Sequence, residues 1–272
     1  MWIRRLFLSG TLILVAHLFS SFAFAQDEFT ELNLAYPAIQ SPEVSHEGNW
    51  RGMLGAGLLV LQPPIENTRT HALPLVAITY RDTVYFHFGQ AGVYVFKSDD
   101  RRARLALALK ARRGYDPSDY PGLSGMNERD TSIEAGVSGV WLTRTALISY
   151  GYFTDISGHS DGDSAQLNLA HPFRLQPRWH LTPSLGVQWL SANVVNYYYG
   201  VLPSEAAPGR PAYEGTSSVN LRVGLMLGYR ASREWSLFGG VSNTWLGSGI
   251  TDSPIVIHDT IAALLVGGVW RF

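Results

Sequence analysis

The chain of 272 residues contains no cysteine, so disulfide bonds, thiol catalysis and cysteine-ligated metals are excluded. Charge is also scarce, because charged residues make up 16% of the sequence and the formal net charge is −1. Soluble domains carry about 25% charged residues, and nucleic-acid-binding domains carry a basic excess that is absent here. The hydrophobic fraction of 46% argues against intrinsic disorder. These features favour a folded protein in apolar surroundings that does not bind nucleic acid.

Motifs for cofactors and nucleotides are missing as well. The sequence has no Gly-x-Gly-x-x-Gly fingerprint opening a helix, no Walker loop and no His-Glu-x-x-His pair. The eight histidines are dispersed, and no two have the spacing of metal ligands on a helix. We therefore expect no cofactor and no metal.

The N-terminal residues have the three parts of a secretory signal. Arginines at positions 4 and 5 give a positive start, residues 6–24 are uncharged and mostly apolar, and Ala23-Phe24-Ala25 matches the small-x-small cleavage pattern. We predict cleavage between Ala25 and Gln26 rather than a membrane-anchoring helix, because polar residues follow at once. The chain then divides into a signal peptide (1–25), a periplasmic N-terminal tail (26–49) and a membrane domain (50–272).

No uncharged apolar run after Gln26 approaches the ~20 residues that a membrane-spanning helix needs. Only helices and closed barrels satisfy their backbone hydrogen bonds in lipid. The secreted chain is rich in glycine (27 residues) and aromatic residues (12%). We therefore predict an all-β fold, a transmembrane antiparallel β-barrel in the outer membrane of a Gram-negative bacterium.

Period-two patterns support this prediction. In residues 104–110, Leu105, Leu107 and Leu109 alternate with charged or small residues, as in a strand with one face toward lipid. The same alternation occurs in residues 132–141, 164–169 and 219–230. We expect the leucines to face lipid and the other residues to face the lumen.

We predict about twelve strands, with ten as the alternative, because connections alternate between short and long. The strands are expected to begin near Trp50, Leu73, Thr83, Ala91, Arg102, Thr131, Thr145, Asp163, Arg178, Thr216, Glu234 and Asp259. Short connections are expected at 81–82, 98–101, 143–144, 175–177 and 232–233. Long ones are expected at 63–72, 114–130, 154–162, 193–215 and 247–258, and the short link near Gln90 is an exception.

The C-terminal strand carries a second indication of an outer-membrane barrel. Trp270 and Phe272 share one face with smaller apolar residues, and the chain ends on that phenylalanine. This pattern resembles the signal by which barrel-assembly machinery recognises its substrates. The alternative is an ordinary amphipathic last strand.

The alternation also predicts which polar side chains face the lumen. They are Arg104, Lys110, Arg112, Glu134, Gln166, Asn168, Arg222 and Arg230. Basic residues predominate, so one interpretation is a narrow passage that prefers anions. The other is a filled interior in which charges pair across strands.

A polar run in one long connection raises two further hypotheses. His159-Ser160-Asp161 resembles part of a hydrolase dyad, and Asp155, Asp161 and Asp163 suggest calcium. Neither set has the remaining residues that such a site needs. We favour a solvated turn and predict that the protein is not an enzyme.

An ordered set of motifs resembles the MltA-interacting protein (MipA/OmpV) family. The motifs are Lys110-Ala111-Arg112-Arg113-Gly114-Tyr115-Asp116-Pro117, Pro121-Gly122-Leu123-Ser124-Gly125, Glu134-Ala135-Gly136-Val137, Asn196-Tyr197-Tyr198-Tyr199-Gly200-Val201, Glu205-Ala206, Arg210-Pro211-Ala212-Tyr213, Leu246-Gly247, Asp252-Ser253-Pro254-Ile255-Val256 and Trp270-Arg271-Phe272. The resemblance covers about residues 50–272.

The resemblance implies an outer-membrane scaffold that links a lytic transglycosylase to a murein synthase. Other family members resemble porins or antibiotic-stress proteins. The expected partners are thus outer-membrane lipid, the barrel-assembly machinery and these two enzymes. The predicted topology places the motif-rich connections on the outer side, whereas murein enzymes lie in the periplasm. Either those connections fold inward to cover the barrel mouth, or the enzymes contact residues 26–49 and the short turns.

Overall fold

The computed structural model describes residues 49–272. The predicted signal peptide, the cleavage site at Ala25 and Gln26 and nearly all of the predicted tail lie outside the described residues. No helix in the described part of the chain is long and apolar enough to cross a membrane.

Strands make up most of the regular secondary structure in the described chain. Its strands are β1 (Trp50–Gln62), β2 (Arg69–Tyr80), β3 (Val84–His87), β4 (Gln90–Lys97), β5 (Ala103–Arg112), β6 (Ser132–Leu142), β7 (Leu147–Asp155), β8 (Asp163–Ala170), β9 (Phe173–Gln176), β10 (Trp179–Leu190), β11 (Ser218–Arg230), β12 (Trp235–Trp245) and β13 (Thr260–Arg271). Two short helices, α1 (Ala192–Tyr199) and α2 (Ser248–Thr251), lie in the connections, together with 3₁₀ turns at Pro117–Asp119, Pro121–Leu123 and Pro203–Glu205.

The sheet closes on itself. Each strand pairs antiparallel with its neighbours, and β1 pairs with β13 from Met53↔Arg271 to Gln62↔Ala262. The short strand β9 follows β8 along the same side of β10, separated from it by His171 and Pro172. Because β8 and β9 occupy one position in the ring, the barrel has twelve strand positions, which confirms the predicted fold class.

Two predicted strand limits were wrong. The eighth strand position extends to Gln176, so the turn is Pro177 and Arg178 rather than residues 175–177. Proline has no N–H to donate, and Pro172 interrupts the ladder without ending the strand. The second strand begins at Arg69 instead of near Leu73, because its ladder with β1 continues to Leu61↔Arg69.

The two ends of the barrel differ in their connections. At one end the connections are short, and the described part of the chain begins and ends there, with the Gly52 N–H donating to the Phe272 carbonyl at 3.1 Å. In transmembrane barrels this is the periplasmic end. Long connections lie at the outer end, except that Phe88 and Gly89 join β3 to β4 in a two-residue turn. Both have positive φ, as such a hairpin turn requires.

Side chains alternate between lipid and lumen along the strands. In β5, Leu107 and Leu109 are about half exposed, whereas Ala106 and Ala108 are buried. Aromatic pairs, Trp50 with Tyr80, Trp179 with Tyr229 and Trp270 with Phe272, lie at the periplasmic end with ring centroids 4.6, 4.7 and 5.3 Å apart. Such pairs form the interfacial girdle of a membrane barrel.

The core of the protein lies inside the barrel. The inner faces of β1, β2 and β11–β13, with Phe88 of the β3–β4 turn, form one apolar cluster of Leu59, Leu61, Leu73, Leu75, Ala77, Phe88, Met226, Phe238, Ile261, Ala263, Leu265 and Val269. The inner faces of β5, β6, β8 and β10 carry polar side chains instead. The interior is therefore divided into an apolar half and a polar half.

Candidate functional site

A buried cluster of charges lies in the polar half of the interior, near the outer end. Glu134 on β6 is directly opposite Lys110 on β5, and its two carboxylate oxygens bind different cations. Arg112 donates from Nε to Oε1 at 2.5 Å, and Lys110 Nζ lies 2.9 Å from Oε2. The Glu134 side chain is 1% exposed, so this network is screened from water.

Neutral groups complete the network. The Ser164 hydroxyl on β8 donates to Glu134 at 3.2 Å, and Lys110 Nζ lies 4.4 Å from the centre of the Phe153 ring. Two cations and one carboxylate leave a net positive charge inside the barrel. Because burial of charge is costly, such a network persists only when its members are held together by good geometry.

The other predicted lumen residues are spread along the barrel. Arg222 is buried and donates from Nε to the Thr244 hydroxyl at 3.1 Å, and Asn168 is also buried. Arg104 lies near the periplasmic end, with its guanidinium 5.4 Å from the centre of the Tyr94 ring, and Arg230 ends β11 at the same end. The structure brings Lys110, Arg112 and Glu134 together in one cluster. It places Gln166, Asn168 and Arg222 around a separate crevice and Arg104 and Arg230 at the periplasmic end.

The middle of the polar half is closed. Gln166, Asn168, Gly186, Val187, Gln188, Asn220, Arg222 and Thr244 surround a crevice that has no room for a water molecule. Across the lumen, Leu59, Leu75 and Leu265 of the apolar cluster have no exposed surface. Side chains are therefore closely packed in both halves of the interior.

Helix α1 covers the outer mouth of the barrel. Ser191 caps it by accepting the N–H of Val194, and the helix buries Val194, Val195 and Tyr198. The Tyr198 hydroxyl contacts the Ser132 hydroxyl at 3.0 Å, which ties the helix to the barrel wall. Ile250 of α2 packs into the same apolar cluster.

A second ion pair joins two of the outer connections. Arg129, in the β5–β6 connection, donates from Nη1 and Nη2 to Glu205 at 3.1 and 2.9 Å. Burial alone would raise the pKa of Glu205, but Arg129 and the N–H groups of Asn127 and Leu202 lower it to about 2. The carboxylate therefore stays charged under a covering of loops.

Hydrogen bonds from Arg210 lock the same region. Its guanidinium donates to the carbonyls of Gly122 at 2.9 Å, Ser124 at 2.9 Å and Glu205 at 2.9 Å. Leu123, Met126, Val201 and Ile255 pack beneath it in a small apolar cluster. We call the covering formed by α1, α2 and the β5–β6 and β10–β11 connections the outer cap.

A cavity of about 190 Å³ remains between the outer cap and the charge cluster. It is lined by Leu61, Pro63, Pro64, Ile65, Glu66, His71, Lys110, Arg112, Arg113, Gly114, Tyr115, Tyr120, Gln188, Leu190, Val194, Tyr198, Tyr199, Asn220, Leu246 and Ile261. Burial raises the pKa of Tyr115 in its wall to about 12. We call this cavity the vestibule, because its lining residues lie at the outer end of the barrel.

The polar run in the β7–β8 connection is organised around Asp155. Its carboxylate accepts the N–H groups of Ser157, His159, Ser160 and Asp161, and the Ser160 hydroxyl donates to it at 3.1 Å. The imidazole of His159 lies near Asp130 instead, with Nδ1 3.7 Å from the carboxylate Oδ2 of Asp130. The run forms a turn held by one aspartate, and no group of metal ligands is found among residues 49–272.

Sequence reasoning missed the roles of Arg129, Glu205 and Arg210. Arg129 and Glu205 are 76 positions apart in connections without periodicity, so no spacing rule relates them. The only signal was the presence of Glu205-Ala206 and Arg210-Pro211 among the motifs of the family resemblance. A charged residue in a conspicuous loop motif was a reason to expect a buried partner.

Comparisons with known proteins give the following matches. Residues 54–272 match the family model described as MltA-interacting protein MipA. The MltA-interacting protein of Escherichia coli is 29% identical over 230 residues, 80% of this chain and 89% of that protein. The putative outer membrane protein YiaT of Escherichia coli is 26% identical over 224 residues, 80% of this chain and 90% of that protein. The outer membrane protein OmpV of Vibrio cholerae is 29% identical over 153 residues, 56% of this chain and 58% of that protein.

Proposed function

The chain belongs to the MltA-interacting protein MipA family and is a closed β-barrel of the outer membrane, and from this premise we propose that it is a sealed scaffold for murein-remodelling enzymes. The proposed partners are a lytic transglycosylase and a murein synthase. The barrel anchors them to the membrane and performs no chemistry itself.

The observation that carries the proposal is the filled and covered lumen. Side chains pack closely in both halves of the interior, and α1 buries Val194, Val195 and Tyr198 across the outer mouth of the barrel. A transport protein needs a continuous passage, whereas an anchor needs only a stable wall and an accessible surface. The interior therefore supports anchoring better than transport.

The periplasmic end is the surface that such partners reach. Murein enzymes work in the periplasm, and the outer cap faces the opposite side of the membrane. The connections that carry the family motifs form the outer cap. This arrangement favours a structural role for Tyr197-Tyr198-Tyr199 over direct contact with a partner. We place the enzyme contacts on the short turns and on residues 26–49.

A second candidate function, a narrow passage for small anions, has one observation in its favour. His71, Lys110, Arg112 and Arg113 line the vestibule against a single carboxylate, Glu66. This excess of basic groups would attract an anionic solute from outside. The passage would also require the filled middle level to open.

The test is site-specific photocrosslinking of the tagged barrel in the outer membrane, followed by mass spectrometry. One probe replaces Arg144 in the exposed β6–β7 turn at the periplasmic end, and the matched control replaces exposed Ser118 in the outer cap. The proposal predicts a lytic transglycosylase and a murein synthase crosslinked from position 144 and not from position 118. Recovery of neither enzyme from a correctly folded barrel would reject it.

A further inference from the structure

The periplasmic end of the barrel carries a ring of positive charge. Twelve basic residues lie in its turns or on the adjoining ends of strands: Arg51, Arg81, Lys97, Arg101, Arg102, Arg104, Arg144, Arg174, Arg178, Arg230, Arg233 and Arg271. Only four acidic residues accompany them: Asp82, Asp99, Asp100 and Glu234. We call this set of sixteen residues the periplasmic rim.

The outer end has the opposite charge. Its connections and strand ends contain twelve acidic residues: Glu66, Asp116, Asp119, Glu128, Asp130, Asp155, Asp161, Asp163, Glu205, Glu214, Asp252 and Asp259. They contain five arginines, Arg69, Arg112, Arg113, Arg129 and Arg210. The chain is close to neutral overall, so this polarity arises from the placement of charges and not from composition.

Most of the positive charge of the periplasmic rim is not neutralised within it. Arg51 and Arg101 share Asp82, and Arg102 lies 3.7 Å from Asp100. The turns expose Arg81, Arg101, Arg102, Arg144, Arg178 and Arg233 to solvent. Elsewhere basic groups lie within electrostatic reach of one another, as Arg174, Arg230 and Arg271 do around His180. Such a concentration of like charge creates a positive potential that attracts anions.

Some of these cations lie on the periplasmic side of the aromatic girdle. Girdle aromatics such as Tyr80, Trp179 and Trp235 mark the interface, and Arg81, Arg178 and Arg233 belong to turns on its periplasmic side. These three arginines therefore face the compartment in which a periplasmic anion would meet them.

The turns also lack the apolar core of a large, stable protein interface, so the enzyme contacts proposed there are transient ones. Residues 81–83, 98–102, 143–146, 177–178 and 231–234 contain no Leu, Ile, Val, Met, Phe, Tyr or Trp. Stable protein interfaces have an apolar core surrounded by polar residues. A ring of exposed charges without such a core suits a flexible polymer that carries many anionic groups and binds through many weak contacts.

We propose that the periplasmic rim binds murein itself, through the free carboxylates of its peptide stems. Arginine pairs with carboxylates in a bidentate manner, and repeated stems along a glycan strand present such groups to several turns at once. The choice of murein among periplasmic polyanions rests on the proposed function. The barrel would then hold the polymer beside the enzymes that remodel it.

The test is cosedimentation with purified, protein-free murein sacculi, using the mature chain in nanodiscs of zwitterionic lipid. The wild-type barrel should pellet at low salt and be released at high salt. Replacing Arg102, Arg144, Arg178 and Arg233 with Gln should weaken binding about tenfold, because each exposed ion pair contributes only modestly. Amidation of the sacculus carboxylates should abolish binding by the wild-type barrel.

The matched control replaces the same four arginines with Lys, which retains the charge but not the bidentate geometry and should bind more tightly than the Gln variant. Both variants must show the heat-dependent gel shift of a folded barrel. Equal pelleting of the Gln variant, or no pelleting of the wild type, overturns the proposal. Failure of the wild type to pellet is the result expected if the ring binds a protein, a lipid or residues 26–48 of the same chain. That segment is acidic and contains no Lys or Arg. Because sacculi carry no enzyme, this outcome would leave the photocrosslinking result unaffected.

Discussion

Removing the charge of Glu134 tests the energetics of the filled interior. Glu134→Gln keeps the volume of the side chain but leaves Lys110 and Arg112 without the carboxylate that lies 2.9 and 2.5 Å from them. Breaking a buried ion pair by neutralising one partner costs about 3–5 kcal/mol, because the remaining charge stays desolvated. Two cations share this carboxylate, so we expect the upper part of that range.

The assay is urea-induced unfolding of the barrel in lipid vesicles, followed by tryptophan fluorescence and by the heat-dependent gel shift. Asp100→Asn is the matched control, since Asp100 is exposed and lies 3.7 Å from Arg102. Its pair is screened by water, and we expect the unfolding midpoint to stay unchanged.

A loss of less than about 1 kcal/mol for Glu134→Gln would refute the reasoning, because it would show that the cluster is hydrated. A rescue experiment separates charge from packing. Replacing Lys110, Arg112 and Glu134 together with Met should recover most of the stability, since apolar residues of similar volume replace buried ion pairs at little cost.

Three further predictions concern the outer cap. Tyr198→Phe removes the contact with the Ser132 hydroxyl at 3.0 Å and should reduce the protection of α1 amides from hydrogen exchange by about 1–2 kcal/mol. The pKa of Glu205 is lowered to about 2, so its ion pair stabilises the cap fully above about pH 5 and less as the pH falls toward 2. Hydrogen exchange of the cap amides, corrected for the pH dependence of the intrinsic exchange rates, should show this loss of stability at low pH. Glu205→Gln should remove the pH dependence. Gly114→Ala should lower the free energy of local unfolding of the β5–β6 connection by about 1–3 kcal/mol, because a Cβ would overlap the Arg129 carbonyl. Limited proteolysis of the connection measures this loss.

The strands of the polar half were largely predictable from the sequence. In β5 the alternation of leucines with charged or small residues gave both the strand and the lipid exposure of Leu107 and Leu109. The alternation of short and long connections predicted the barrel and its twelve strand positions. These signals are local, so a single sequence contains them.

The apolar half was harder because both faces of its strands are apolar. In β1, Leu58 is exposed to lipid and the adjacent Leu59 is fully buried, so no period-two pattern separates the faces. A long connection joins β5 to β6, and its length does not determine the register of the two strands. The sequence alone therefore does not show that Lys110 lies opposite Glu134. The pairing of Arg129 with Glu205 depends on tertiary packing of two loops. Such contacts lie beyond what local patterns encode.

The most direct test of the sealed scaffold is electrical recording from the refolded barrel in a planar lipid bilayer. Insertion is verified by recovery of heat-shifted protein from the membrane, so that silence cannot arise from missing protein. We predict no steady conductance, because the interior is filled at mid-level and covered by the outer cap. A steady, anion-selective conductance that Arg222→Ala weakens would contradict this account and establish a channel.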